Sequence, residues 1–321
     1  MNRRHINFGF RLSIAILCIL ALVHFIDWEP ALLAIAESDW RYVALCIGLA
    51  VADRYLMAFK WAMLIRALGT FITNLAAFRI YLISGFAGIF LPSSVGADIV
   101  RFVGTTISTG KGDVIAATIV MERILGLFAV AVLAVIGSLT VLIAGETKLL
   151  SVFYFSMIIL LLVGLVLIVS LREDIWKYFS ESLKRYKRYR FVHFVIKIHN
   201  SYIQFRRKRD TILAFYALSL IEHLFSPAVT YFSAVALGLD INFLHVLALI
   251  PVINIVSMAP VSIGGFGVRE GVFVVMFSVI GLSRPEALSV ALLSRAVSLI
   301  VLVLGGLLYL NYTWGTNRAV R

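Results

Sequence analysis

Four arginines recur as matched pairs inside apolar sequence: Arg101 with Arg269, and Arg123 with Arg295. Acids stand beside them, with Asp98 one helical turn before Arg101, Glu122 directly before Arg123 and Glu270 directly after Arg269. A guanidinium fork binds phosphate or carboxylate oxygens bidentately, so this pattern suits an anionic headgroup. Asp53, Arg54 and Glu222 add further charge in apolar surroundings. Ionisable groups at membrane depth cost about 2.5–3.5 kcal/mol each even on lenient insertion scales, so they need partners or a watery path. The candidate substrate-binding residues are therefore Arg101, Arg123, Arg269 and Arg295, with Asp98, Glu122, Glu222 and Glu270 holding the arginines in place or carrying protons. Ser94, Gly96, Ser262 and Gly264 join them because they follow Pro92 and Pro260, where broken helices expose amides that favour anions. The competing reading is a set of structural ion pairs.

Catalytic patterns are not found. There is no G-x-S-x-G elbow, no H-E-x-x-H helix and no clustered His and Cys. The run from Gly104 to Gly112 resembles a phosphate-binding loop, but it has five residues between its first two glycines and no Ser or Thr after Lys111. No catalytic residue, metal or cofactor is expected. Cys18 and Cys46 lie in apolar stretches and read as small buried side chains. His193 and His199 read as surface residues, and His223 and His245 as core histidines, with a pore-lining role as the alternative.

The elements that must position these charges are membrane helices. The 321 residues are 61% hydrophobic with mean hydropathy +0.99, too apolar for a soluble domain. Spans of about 20 apolar residues are expected at 10–26, 42–59, 114–144, 151–171, 211–237 and 287–310. Span 114–144 is long enough to begin as a separate half-helix. Segments 76–92 and 243–259 stop at Pro92 and Ala259-Pro260, each ahead of a Gly-bearing polar stretch, and read as re-entrant helical pairs. The net charge is +12, and 172–210 holds Lys and Arg in large excess over acids. Between two spans, such a segment marks a cytoplasmic loop and not a nucleic-acid surface. Trp176, Phe179, Leu183 and Tyr186 suit an interfacial helix there. The expected topology has both termini in the cytoplasm, with Lys60 on that side and the acidic loop 27–39 outside, in the cytoplasmic (inner) membrane.

The two proline stretches align without a gap: Pro92-Ser-Ser-Val-Gly-Ala-Asp-Ile-Val-Arg101 and Pro260-Val-Ser-Ile-Gly-Gly-Phe-Gly-Val-Arg269. Ala67-Leu-Gly69 recurs as Ala236-Leu-Gly238, Asp53 falls opposite Glu222, and Arg123 falls opposite Arg295. With the expected topology, the repeats run in opposite directions through the membrane. The organisation expected is 1–39 as an anchor span and outer loop, 40–171 as repeat 1, 172–210 as a basic cytoplasmic loop and 211–321 as repeat 2. The fold class is an all-α integral membrane bundle with an inverted-topology repeat and re-entrant helical pairs. Secondary transporters use that architecture.

Phe90 to Asp98 with Arg101, then Glu122-Arg123, then Pro260 to Gly271, resemble the lysylphosphatidylglycerol synthase transmembrane-region family, also called the flippase-like domain family. The resemblance implies a stand-alone membrane domain without a synthase domain, and so no aminoacyl transfer. It implies a non-enzyme that moves a lipid between leaflets by alternating access. The partner would be a membrane lipid: a phospholipid, a polyprenyl-linked glycan or a hopanoid-like molecule. Lipid- or glycan-synthesis enzymes and a second copy of the chain are further expected partners. The alternatives are a membrane-embedded transferase and an accessory subunit of a lipid or glycan biosynthesis system.

Overall fold

The computed structural model of the chain describes residues 36–89, 96–172, 190–258 and 268–311. The expected span 10–26 and the interfacial helix near Trp176–Tyr186 lie outside the described residues, as do Ser94, Ser262 and Gly264. Regular structure among the described residues is all helical: α1 Trp40–Ala67, α2 Asn74–Gly88, α3 Gly96–Thr109, α4 Gly112–Ile143, α5 Leu150–Ser170, α6 Arg190–Tyr202, α7 Arg209–Glu222, α8 Phe225–Ala236, α9 Phe243–Ser257, α10 Val268–Val279 and α11 Arg284–Asn311. Short 3-10 turns precede α5 and α7. Five segments are long and apolar enough to cross a membrane: Trp40–Ala67, Gly112–Ile143, Thr147–Ser170, Arg209–Ala236 and Arg284–Leu310. The chain is a multi-pass helical membrane protein.

Two spans differ in detail from their sequence reading. Gly112–Ile143 is one continuous helix, with no separate half-helix at its start. The 211–237 span is instead broken, because α7 ends at Glu222 and α8 begins at Phe225. Pro227 accounts for the break: it has no N–H, and its ring would clash with the carbonyl four residues back, at His223. In the first turn of α8, the same proline is well tolerated.

Helices α2 and α9 have 15 residues each, about 22 Å of helix. That is short of the roughly 30 Å hydrocarbon core. Each packs on the short helix that comes after it, α2 on α3 and α9 on α10. Their starts are capped alike: the Thr73 hydroxyl accepts from the Ala76 N–H at 3.2 Å, and the Asn242 side chain accepts from the Leu244 N–H at 2.8 Å.

The helices that the sequence alignment pairs share several features. The helix α1 and the broken pair α7–α8 each cover 28 residues. Each ends at a glycine in the left-handed region, Gly69 at φ 74° and Gly238 at φ 72°. Contacts between them fix their relative direction. Asp39 N–H donates to the Ala236 carbonyl at 2.9 Å, Tyr42 stacks on Phe232, Cys46 Sγ reaches the Val229 carbonyl at 3.5 Å, and Lys60 meets Ser219 and Glu222. Positions rise along α1 as they fall along α8 and α7, so these helices run antiparallel.

Glycine lets the long helices approach the short ones. A Cβ at Gly137 on α4 would sit 2.6 Å from the Leu247 carbonyl oxygen of α9, and one at Gly305 on α11 would collide with the Leu82 carbonyl of α2. Small residues at such crossings are how membrane helices gain packing contact where lipid offers no hydrophobic drive. Gly137→Ala and Gly305→Ala should each destabilise the fold by about 1–3 kcal/mol. Gly48→Ala, where nothing lies within 4 Å, should be neutral. Thermal melting in detergent separates the three.

Candidate functional site

The first of the repeated arginines is enclosed. Arg101, on α3, is 3% exposed. Its fork reaches Asp98, one turn back, at 2.8 Å and Glu122, on α4, at 2.9 Å. The guanidinium lies between two rings, with its carbon 4.6 Å from the Trp61 centroid and 4.4 Å from that of Tyr81. Burial strengthens such cation–π contacts. The Tyr81 hydroxyl hydrogen-bonds Glu122, and the Trp61 indole N–H donates to Thr118 at 3.2 Å. The second oxygen of Asp98 takes Arg123 at 2.6 Å. Two cations and two anions thus neutralise one another, with Arg123, 37% exposed, as the outermost member. Gly96 is buried at the start of α3.

A second group forms where α1 meets α7. Lys60 is 3% exposed and donates to Glu222 at 2.9 Å and to Ser219 at 2.8 Å. Asp53 pairs with Arg54 at 3.1 Å and faces the Glu222 carboxyl. Seven residues separate Cys46 from Asp53 and Glu222 from Val229. Asp53 and Glu222, opposite each other in the sequence alignment, therefore meet at the middle of the antiparallel contact. His223 joins them, with Nε2 2.9 Å from the Gly126 carbonyl. Lys60 corrects its sequence reading: it is not a boundary residue facing the cytoplasm, because α1 runs on to Ala67 and Glu222 neutralises the ammonium inside the bundle.

The third group belongs to α10 and α11. Arg295 pairs with Glu270 at 3.0 Å. Arg269 lies near both, and among the described residues it has no ion pair of its own. All three groups border two neighbouring cavities. One cavity of about 420 Å³ is lined by Asp53, Arg54, Glu222, His223, Asn254, Arg269, Ser294, Arg295 and Ser298 among others. A smaller one, about 240 Å³, is lined by Lys60, Tyr81, Asp98, Arg101, Glu122 and Arg123. Arg54, Met57, Glu222, His223, Asn254 and Met258 border both. The structure thus gathers Arg101, Arg123, Arg269, Arg295, Asp98, Glu122 and Glu222 around adjoining cavities. Glu270 reaches the larger one through Arg295.

Lys60, Trp61, Tyr81, Ser219 and Asn254 were missed in the sequence reading, and His223, weighed there as a pore-lining alternative, borders both cavities. A polar signal was available for His223, which directly follows Glu222 and mirrors Arg54 beside Asp53. Trp61 and Tyr81 carried none, since an aromatic in an apolar helix looks the same facing lipid or facing a cation. The basic segment 172–210 is more than a loop: α6 packs along α4, Ser201 donates to Asp113 at 2.9 Å, and Phe205 is fully buried. His245 pairs with Glu146 at 2.8 Å near one end of the bundle. Among the described residues, no group of three or more His, Cys, Asp or Glu could hold a metal ion.

Removing one member of a buried ion pair typically costs about 3–5 kcal/mol, because its partner stays charged and unsolvated. Arg101→Met should therefore destabilise by that order, leaving Glu122 without its cation while Asp98 keeps Arg123. The charge-balanced double variant Arg101→Met, Glu122→Gln, which leaves the Asp98–Arg123 pair in place, should recover most of the loss. Melting of the purified variants in detergent checks both.

The comparisons agree with this architecture. The family model described as "Lysylphosphatidylglycerol synthase TM region" matches residues 9–306. A "UPF0104 membrane protein" of Pyrococcus horikoshii is 25% identical over 327 aligned positions, covering 93% of this chain and 95% of that protein. Another of the same description, from Methanocaldococcus jannaschii, is 25% identical over 309 positions, covering 90% of each. With nearly its whole length matched, the chain belongs to the lysylphosphatidylglycerol synthase TM-region family.

Proposed function

We propose that the chain translocates an anionic or glycan-linked lipid between the leaflets of the cytoplasmic membrane by alternating access, without covalent change to the lipid. One observation carries the reading: the corresponding helices α1 and α7–α8 run antiparallel and meet at Asp53 and Glu222, beside a cavity bordered by charges from both halves. Antiparallel corresponding helices are what an inverted repeat produces, and such repeats rock around a site near the midplane in secondary transporters. The family's printed description ties it to a lipid.

The charge at the two ends of the bundle supports an orientation. The end with Arg66, Lys111, Arg172 and the run Arg206 to Arg209 is strongly basic, and the end with Glu37, Asp39, Glu146 and Glu286 is not. By the positive-inside tendency the basic end faces the cytoplasm. The bulky, mostly apolar exposed residues of α5, such as Leu161 at 65% and Ile168 at 63%, suit contact with lipid.

Reconstitution into vesicles with fluorescent and native lipids tests the function, using leaflet-selective quenching and mass spectrometry of the recovered lipid. The wild-type chain should move lipid across with unchanged mass. Met57 lines both cavities, so Met57→Trp would fill space in them and should slow movement by about tenfold or more. Leu161→Trp, on the outer face of α5, should not. A lipid recovered with altered mass, or equal rates in all three proteins and in empty vesicles, would contradict the proposal.

A further inference from the structure

Each half of the chain carries an acid followed directly by a base in a long apolar segment: Asp53-Arg54 in the first and Glu222-His223 in the second. The two bases differ in kind. Arginine keeps its proton in proteins, whereas histidine exchanges one near neutral pH. The fold brings the two acids together. Asp53 on α1 lies within hydrogen-bonding reach of the carboxyl of Glu222, the last residue of α7 and only 5% exposed. An ionised carboxylate only accepts hydrogen bonds. Two carboxylates in contact therefore repel unless a proton lies between them, and paired acids of this kind hold one proton in common.

The same want of a proton recurs on the other side of Glu222. His223 Nε2 is 2.9 Å from the Gly126 carbonyl, and a carbonyl only accepts, so Nε2 carries the hydrogen. In the neutral ring Nδ1 is then a bare acceptor, 3.4 Å from Glu222 Oε2. Each acid also has a cation of its own, Arg54 at 3.1 Å for Asp53 and Lys60 at 2.9 Å for Glu222. The remaining charged and titratable groups face the pair across the cavities. Arg269 of α10 and Arg295 of α11 line the larger one. Tyr81 of α2 lines the smaller, with Asp98 and Arg101 of α3 and Glu122 and Arg123 of α4. His223 borders both cavities and so connects the acids to water.

Helices α1 and α7 come from opposite halves, so alternating access must remake their contact in every cycle. Together, the two acids need a proton between them. Apart, Asp53 keeps Arg54 and Glu222 keeps Lys60, and the proton is no longer required. We propose that Asp53, Glu222 and His223 form a proton site: the acids share one proton while α1 and α7 touch, His223 Nδ1 passes it to and from water in the cavities, and it leaves as the contact opens. Binding turns one carboxylate and one hydronium into a carboxylic acid and water, and release reverses this, so nothing is oxidised or reduced. The proton is then the coupling ion, one per cycle. This rests on the transport reading above and supplies its energy source; the proton is detected without transport, so either can fail alone.

Infrared difference spectroscopy of the purified full chain reads this proton, because the carbonyl stretch of a protonated carboxylic acid stands apart from the bands of a carboxylate. The wild-type chain at neutral pH should show a protonated acid that is lost in alkaline buffer. Asp53→Asn and Glu222→Gln should each abolish it, while Asp240→Asn, an exposed acid elsewhere, should leave it unchanged. If Glu222→Gln does not fold with Lys60 uncompensated, the charge-balanced Lys60→Met, Glu222→Gln chain takes its place. His223→Gln should keep the signal and slow its loss after a pH jump by about tenfold or more. In vesicles with the membrane potential clamped at zero, a gradient of about one pH unit should shift the leaflet distribution of fluorescent phosphatidylglycerol by up to about tenfold, the factor for one proton per lipid. Asp53→Asn should lose that shift. No protonated acid at neutral pH, or one that survives both substitutions, would overturn the site even if lipid moves. Lipid movement that ignores the gradient would overturn the coupling. The infrared signal without lipid movement would contradict the transport reading and leave the proton site standing.

Discussion

Charge at membrane depth must be neutralised or hydrated, and the interior of this bundle is arranged around that demand. Arg101 meets it with two carboxylates and two aromatic faces. Lys60 and Glu222 meet it with each other and with the Ser219 hydroxyl. Because these groups come from α1, α2, α3, α4 and α7, they join helices that lie far apart in sequence. Losing one partner leaves a charge that lipid cannot solvate. The polar interior thus enforces one packing arrangement, which lipid-facing apolar side chains alone would leave loosely specified.

Helix length supplies the second constraint. Helices α2, α3, α9 and α10 are too short to cross a bilayer alone. Their ends must therefore be satisfied by protein or by water in a cavity. The long helices α4 and α11 shelter them, and Gly137 and Gly305 allow the close crossing. Short helices sheltered by long ones place the motif arginines beside the cavities. The break between α7 and α8 at His223 brings a further polar turn to the same depth.

Much of this was legible in sequence for a physical reason: charged residues in apolar stretches are unfavourable, so their positions carry information. The proline stretches marked where α2 and α9 stop, and the recurring arginines marked the short helices α3 and α10 beyond them. The pairing of Arg101 with Trp61 and Tyr81 was not legible, since nothing in an apolar helix says which face an aromatic turns to a cation. Lys60 was misread because a lysine near the end of an apolar run looks like a boundary residue until Glu222 is brought to it. Helix α6 hid in a basic segment because an amphipathic pattern fits a lipid surface as well as it fits α4.

The central claim is that the two halves lie in the membrane with opposite orientation. Lys111 and Ser283 test it most directly: they are exposed, occupy corresponding positions just ahead of α4 and α11, and stand at opposite ends of the bundle. Single cysteines placed there, in a chain with Cys18 and Cys46 replaced by serine, can be labelled in intact cells with a membrane-impermeant maleimide. Lys111→Cys should react only after the membrane is permeabilised, and Ser283→Cys should react before. Labelling of both positions from the same side would contradict the inversion and the alternating-access mechanism built on it.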